Sequence, residues 1–199
     1  NIKKLIDYKG KIILKGSGFQ NFEYYKDHID LINHMLFIPE TYKKVLEKNS
    51  ITLHYRLGDC TTEELKINVR HNEKYLGYHK APNISPVYFI DILKNHNYTK
   101  VYIVTDDINH KHIKYIQDTI ENTEIVSTNL YDDFLFMVSS PNLIICHSTY
   151  SWWAALISNS KKIYMPKTNF NTDIKYHAEW VYRNDINLNV NDDKRYIYM

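Results

Sequence analysis

Cysteine is scarce in this chain: its 199 residues hold two, Cys60 and Cys146. Two thiols build no disulfide framework, which leans to a reducing compartment. Cys146 sits in an apolar run and reads as a small core residue. An excess of one charge sign is also missing. The 25 basic and 23 acidic residues leave a net charge of +2, with no basic tail or stripe to hold nucleic acid. No apolar run approaches the length of a membrane span, and no secretory h-region stands at the start. The expected location is therefore the cytoplasm or the periphery of a membrane. The chain opens on Asn1 rather than Met and is expected to be a piece of something longer. Four chemical signatures are absent as well. Without GxxxxGK[ST] there is no P-loop, and without GxGxxG after a strand there is no common dinucleotide fingerprint. Without GxSxG, Ser148 is no α/β-hydrolase nucleophile. Without Asp-Xaa-Asp, a metal-bound nucleotide-sugar site of that type lacks its ligands.

What is present centres on Asn142–Ser158, NLIICHSTYSWWAALIS. Leu143 to Cys146 form a short apolar run, as expected of a buried strand. His147, Ser148 and Thr149 break it. Trp152 to Ile157 then read as a fully buried helix, with Ser148 or Thr149 at its N-cap. A strand, a hydroxyl-rich turn and a helix start make a place to hold phosphate, because the first backbone N–H groups are free and the dipole is positive there. An ordinary capped helix is the alternative.

Alternation along ITLHYR (residues 51–56) puts Ile51, Leu53 and Tyr55 on one face of a strand and Thr52, His54 and Arg56 on the other. Leu57-Gly58-Asp59 is its exit turn. Residues 60–84 form a long polar connection carrying Glu63, Glu64, His71, Glu73 and His79, and connections of that length are often functional. Ser85-Pro86 starts a helix to about Asn97 with Phe89, Ile90 and Leu93 inward. Lys100–Thr105 is a strand ending at Asp106-Asp107. Ile113, Ile116 and Ile120 space a helix, residues 124–126 make a brief strand, and Asp132 is expected to cap a helix through Val138. Lys162–Met165 is a strand closed by Pro166. Upstream, Lys11–Leu14 is a strand candidate. Apolar residues from Tyr24 to Phe37 recur at helical spacing, and a second helix is expected over Glu40–Lys48. The tail beyond Pro166 has no clear period, with Trp180 as an anchor. His110 and His112 lie at i,i+2, unsuited to a helical metal pair, and read as solvated surface.

Strands alternating with helices imply an α/β fold, a parallel sheet covered on both faces. Ligands in such sheets sit outside the carboxyl ends of the strands. Arg56, Asp106 and His147-Ser148 each fall just past a strand end, so three segments would deliver polar groups to one crevice. Arg56 suits a diphosphate through its bidentate fork, and its alternative is a surface arginine. Asp106 or Asp107 suits the amino and imino edge of guanine, and its alternative is a helix cap. His54 can bond a phosphate or orient Asp59. Ser148 and Thr149 can donate to phosphate, whereas Ser151 is assigned to packing. Asp59, Glu63, Glu64 and Glu73 lie where a general base would be needed.

HYRLGD (residues 54–59) resembles the His-Xaa-Arg-Xaa-Xaa-Asp signature of the α-1,2- and α-1,6-fucosyltransferases and the protein O-fucosyltransferases. LKGSGFQNFEYY, SPVYFIDIL, VYIVTDD and DDFLFMVSSPNLIICHSTYSWWAALIS resemble, in order, further segments of the α-1,2-fucosyltransferases, glycosyltransferase family eleven. Together they span roughly Gly16 to Pro166.

The resemblance implies the C-terminal, donor-binding Rossmann-like half of a GT-B-like glycosyltransferase. Residues 1–50 would be a remnant of the N-terminal acceptor-side domain and linker, 51–175 the nucleotide-sugar-binding domain, and 176–199 a tail packing back on it. The implied reaction is inverting transfer of L-fucose from GDP-fucose to an oligosaccharide acceptor, α-1,2 to galactose, without metal or other cofactor. Carried over, Arg56 contacts the β-phosphate and His54 supports the diphosphate. Asp106 reads guanine with Asp107 beside it. Ser148, Thr149 and Tyr150, after His147, lie against the phosphates. Asp59 and Glu64 are the candidate bases. This chain departs from the pattern in lacking the Gly-Leu-Gly-Asn-Gln loop and about the first third of a typical member. Leu57 replaces a second arginine, Cys60 an aromatic or aliphatic residue, and His147 and Tyr150 stand where Asn and Phe are usual. The competing readings are a degenerate GDP-sugar-binding module and a GT-B transferase for another nucleotide sugar.

Overall fold

The computed structural model describes residues 21–36, 38–58, 84–166 and 188–199. Among them one sheet is built from β1 (Ser50–Tyr55), β2 (Lys100–Thr105), β3 (Thr123–Ile125), β4 (Asn142–Ile144), β5 (Lys162–Met165) and β6 (Tyr196–Tyr198). Its order is β3-β2-β1-β4-β5-β6, and every neighbouring pair is parallel. The helices are α1 (Ile29–Met35), α2 (Pro86–Lys94), α3 (Lys111–Thr119), α4 (Leu130–Val138) and α5 (Thr149–Ile157).

The order explains the layers. A crossover between parallel strands is right-handed, so the face taken by its helix depends on the direction of travel across the sheet. The chain moves outward from β1 to β3, and α2 and α3 pack with Ile51, Leu53, Tyr55, Val101 and Ile103 on one face. It then returns past β1 to β4. From there it moves the other way, and α4 and α5 pack with Leu143, Ile145, Ile163 and Met165 on the opposite face. The odd residues of β1 serve the first face, as the alternation predicts. The even ones meet the second through polar contacts: Thr52 and Ser140 share a hydrogen bond of 2.5 Å, and His54 lies against Tyr150.

Capping follows the local sequence. Ser85 accepts from the Val87 N–H with Pro86 at the first helical position, as expected. For α4 the cap is Asn129, not Asp132. The Asn129 side-chain oxygen accepts from the Tyr131 and Asp132 N–H groups, and its amide donates to the Asp132 carboxylate at 2.7 Å. The helix therefore starts earlier than the apolar pattern suggests. His110 and His112 are not solvated surface either. His110 Nδ1 caps α3 by accepting from the His112 N–H, and His112 Nδ1 bonds the Tyr55 hydroxyl at 3.0 Å.

Three further expectations change. The Tyr24–Phe37 helix is two 3₁₀ turns followed by α1, and Met35 is 73% exposed; Phe37 itself lies outside the described residues. The Glu40–Lys48 helix shrinks to a 3₁₀ turn at Glu40–Tyr42, whose cap position, Pro39, makes no side-chain cap bond. The tail contains β6, too short to show a period. It is fixed by pairing with β5 and by Arg195, which donates to the Ser158 and Leu156 carbonyls at the end of α5 while paired with Asp193. Lys11–Leu14, Cys60 and Trp180 lie outside the described residues. No helix among the described residues is long and apolar enough to cross a membrane.

Candidate functional site

The strand order reverses between β1 and β4, and from their carboxyl ends the chain departs to opposite faces. Such a switch point is where a doubly wound sheet binds ligand. Arg56 follows β1 directly, and His147-Ser148 follow the short exit of β4. The pairing of Leu53 with Ile144 sets the two exits side by side. β2 ends in register with β1, Tyr55 opposite Thr105, which delivers Asp106 to the same rim. Three segments distant in sequence thus converge as the strand-end argument requires.

Asp106 has a defined task there. Its carboxylate accepts from the Leu57 N–H at 2.6 Å and from the Gly58 N–H at 3.1 Å. It ties down the turn that carries Arg56, a role the sequence reading did not assign. Gly58 is what allows the approach: a Cβ there would stand 3.0 Å from Asp106 Oδ2. A carboxylate has about four acceptor sites, so two backbone donors leave capacity on this exposed side chain. Asp107 closes its own turn by accepting from the Asn109 N–H at 3.2 Å. Behind both, Ser127 at the end of β3 accepts from the Thr105 N–H at 2.7 Å.

On the other side, Ser148 occupies the N-cap position of α5 with extended backbone but makes no side-chain cap bond. Its carbonyl accepts from the Trp152 N–H. Ser151, fully buried, turns its hydroxyl to the Ser148 carbonyl, the packing role expected of it. Thr149 and Tyr150 form the first turn and are half-buried, as is His147. Tyr150 rests on His54 and Phe134, with ring centroids 5.7 and 5.5 Å apart, and its hydroxyl donates to the Leu130 carbonyl. Burial, helped by the Asp133 charge, pushes that phenol up to about 12, so it stays a neutral donor.

Between the two exits lies a pair that the sequence reading did not see. His54 Nδ1 is 3.2 Å from Cys146 Sγ, with both residues buried. Burial lowers the histidine to about 4; the Asp106 charge opposes this and the Arg56 charge adds to it. Burial raises the thiol to about 11, against the backbone hydrogen bond from Arg56. No sequence signal links the two residues, because their contact depends on β4 inserting beside β1.

The lowered histidine has a consequence for stability. His54 is neutral in the fold below its ordinary value of about 6.5. As pH falls, the unfolded chain takes up the proton first and is favoured. Stability from this group is full above pH 6.5 and is lost towards pH 4, by about 3 kcal/mol. Denaturant unfolding across that window is expected to show the fall, and His54→Gln to remove this part of the slope. An unchanged slope in the variant would refute the assignment. His112, lowered to about 4 by burial but closer to solvent, adds a smaller share.

Asp59, Glu63, Glu64 and Glu73, the carboxylates expected near the crevice mouth, lie outside the described residues. Among the described residues no group of three or more His, Cys, Asp or Glu side chains is placed to hold a metal ion.

The family model described as "Glycosyl transferase family 11" matches residues 47–184, from just before β1 through α5 and β5. A comparison with curated proteins finds no match. With more than half of its length matched, and with the six-stranded parallel sheet of a Rossmann-like glycosyltransferase, the chain belongs to glycosyl transferase family 11, a fucosyltransferase family.

Proposed function

We propose that this chain holds the GDP-fucose site of an inverting fucosyltransferase, which transfers L-fucose to a glycan hydroxyl, α-1,2 to galactose, without a metal. The observation that carries the reading is the switch point itself. Arg56 directly follows β1 and Ser148 precedes α5 on the two sides of the reversal in strand order, and the N-cap residue of α5 makes no side-chain cap bond. That combination of a guanidinium and a helix N-terminus suits a diphosphate.

Glycosyl transfer passes through an oxocarbenium-like state, while negative charge gathers on the departing GDP. In the proposed mechanism Arg56 and the first N–H groups of α5 stabilise that charge where it develops. His54, neutral, and the Ser148 and Thr149 hydroxyls add donors without adding charge. Tyr150 and His147 wall the phosphate side. Asp106, with Asp107 beside it, offers its remaining acceptor sites to the N–H edge of guanine. Its hold on Leu57 and Gly58 would couple base recognition to the position of Arg56. Asp59 and Glu64 are the two carboxylates proposed for the base that deprotonates the acceptor hydroxyl.

Calorimetry with GDP and UDP tests the donor. GDP is expected to bind at least tenfold tighter than UDP, because only guanine presents two adjacent N–H donors to the carboxylate. Equal affinity would favour another nucleotide sugar. Transfer of radiolabelled fucose to a galactose-terminated oligosaccharide separates an active transferase from a degenerate binding module.

A further inference from the structure

We propose that Cys146 is a positioning residue: its thiol hydrogen bonds His54 Nδ1 and so holds the imidazole in the tautomer that carries its proton on Nε2.

The inference rests on the 3.2 Å contact between Cys146 Sγ and His54 Nδ1 inside a buried pocket. Two proton placements are compatible with two neutral partners. Either the thiol donates to a bare Nδ1, or a protonated Nδ1 donates to sulfur and the thiol hydrogen turns elsewhere. The surroundings choose between them. The Arg56 backbone already directs a hydrogen bond at the sulfur. A second N–H on the same sulfur, a weak acceptor, would take its other lone pair and send the thiol hydrogen away from the best acceptor nearby. The Ser151 hydroxyl, which donates to the Ser148 carbonyl, also lies in hydrogen-bonding reach of the sulfur, but a hydroxyl oxygen accepts less strongly than an imidazole lone pair. The first arrangement satisfies each group in turn: Arg56 N–H to sulfur, thiol to Nδ1, and the ring hydrogen left on Nε2.

The partners facing His54 agree with a neutral ring. The guanidinium of Arg56 and the carboxylate of Asp106 act on it with opposite sign, and Tyr150 covers it with an uncharged ring. A ring fixed in this tautomer is a neutral N–H donor beside Arg56, able to hydrogen-bond an anion without competing with the arginine as a second cation. The tautomer of such a histidine is set by what its other nitrogen bonds. Here that partner is a thiol from the far side of the switch point, so the inference deepens the diphosphate reading and depends on it only for the consequence in binding.

The test is histidine-labelled ¹⁵N spectroscopy of the full chain at neutral pH, with the His54 signals assigned by their loss in His54→Gln. The wild type is expected to show His54 protonated on Nε2. Cys146→Ser, which keeps a donor, is expected to retain that tautomer. Cys146→Ala removes the donor and is expected to move His54 towards the Nδ1-protonated form and weaken GDP binding up to about tenfold, the value of one hydrogen bond. Thermal melts of both variants separate this from a folding defect, since a purely structural cysteine would alter the melt and leave the tautomer alone. A wild-type ring protonated on Nδ1, or an unchanged tautomer in Cys146→Ala, overturns the inference. Failure of the wild type to bind GDP would instead overturn the functional reading, because the tautomer is read without ligand.

Discussion

Replacing Arg56 by alanine is expected to abolish calorimetrically detectable GDP binding and to lower fucose transfer by about 10²–10³, the usual cost of one transition-state donor. The size follows from the position. Arg56 leaves the sheet at the switch point, where the ends of β1 and β4 lie side by side. The turn that carries it is pinned by two hydrogen bonds to Asp106. With the turn already held, only the side-chain rotamers of Arg56 remain to be ordered on binding, and the charge-assisted bonds to a diphosphate outweigh that cost. Arg56→Lys is expected to recover part of the binding and little of the rate, because a point charge does not reproduce the bidentate fork. Wild-type GDP affinity in a folded Arg56→Ala chain would remove the diphosphate from this crevice and with it the proposed function.

The second large effect is structural. Trp152→Ala is expected to destabilise the fold by about 3–5 kcal/mol, measured as a drop in the denaturant midpoint. Trp152 is 1% exposed and touches Phe22, Tyr25 and Trp153 in edge and tilted geometries. Its indole Nε1–H donates to the Leu188 carbonyl at 2.8 Å. One side chain therefore joins α5 to the segment before α1 and to the segment leading into β6. Truncation opens a cavity on the second face and leaves a buried carbonyl without its donor, and both costs add. Trp152→Phe keeps most of the volume and is expected to lose only the smaller, hydrogen-bond share. A loss below about 1 kcal/mol for Trp152→Ala would mean that this packing does not hold α5 in place.

Much of the molecule was legible residue by residue because its signals are local. The apolar runs of β2 and β5 end where a polar or proline residue ends them. Ser85-Pro86 is a helix start in any context. The even–odd split of β1 follows from the pleat alone. Asn129 and Asp132 cannot be told apart as caps from the sequence, because both residue types cap helices and only the backbone geometry tells which one lies outside the first turn. β6 was missed because three residues cannot display a period.

The amino-acid sequence by itself determined the class of fold, the strand ends, and which polar residues stand just beyond them, since period, punctuation and motif spacing are properties of neighbouring residues. The tertiary structure alone decided how those ends are shared out. It bound Asp106 to the backbone of Leu57 and Gly58, brought Cys146 against His54, and set the exit of β1, which carries Arg56, beside that of β4, which leads into α5. Each of these joins residues about 50 to 90 positions apart through the order in which strands enter the sheet. That order is set by crossover handedness and burial on two faces, which no local stretch encodes.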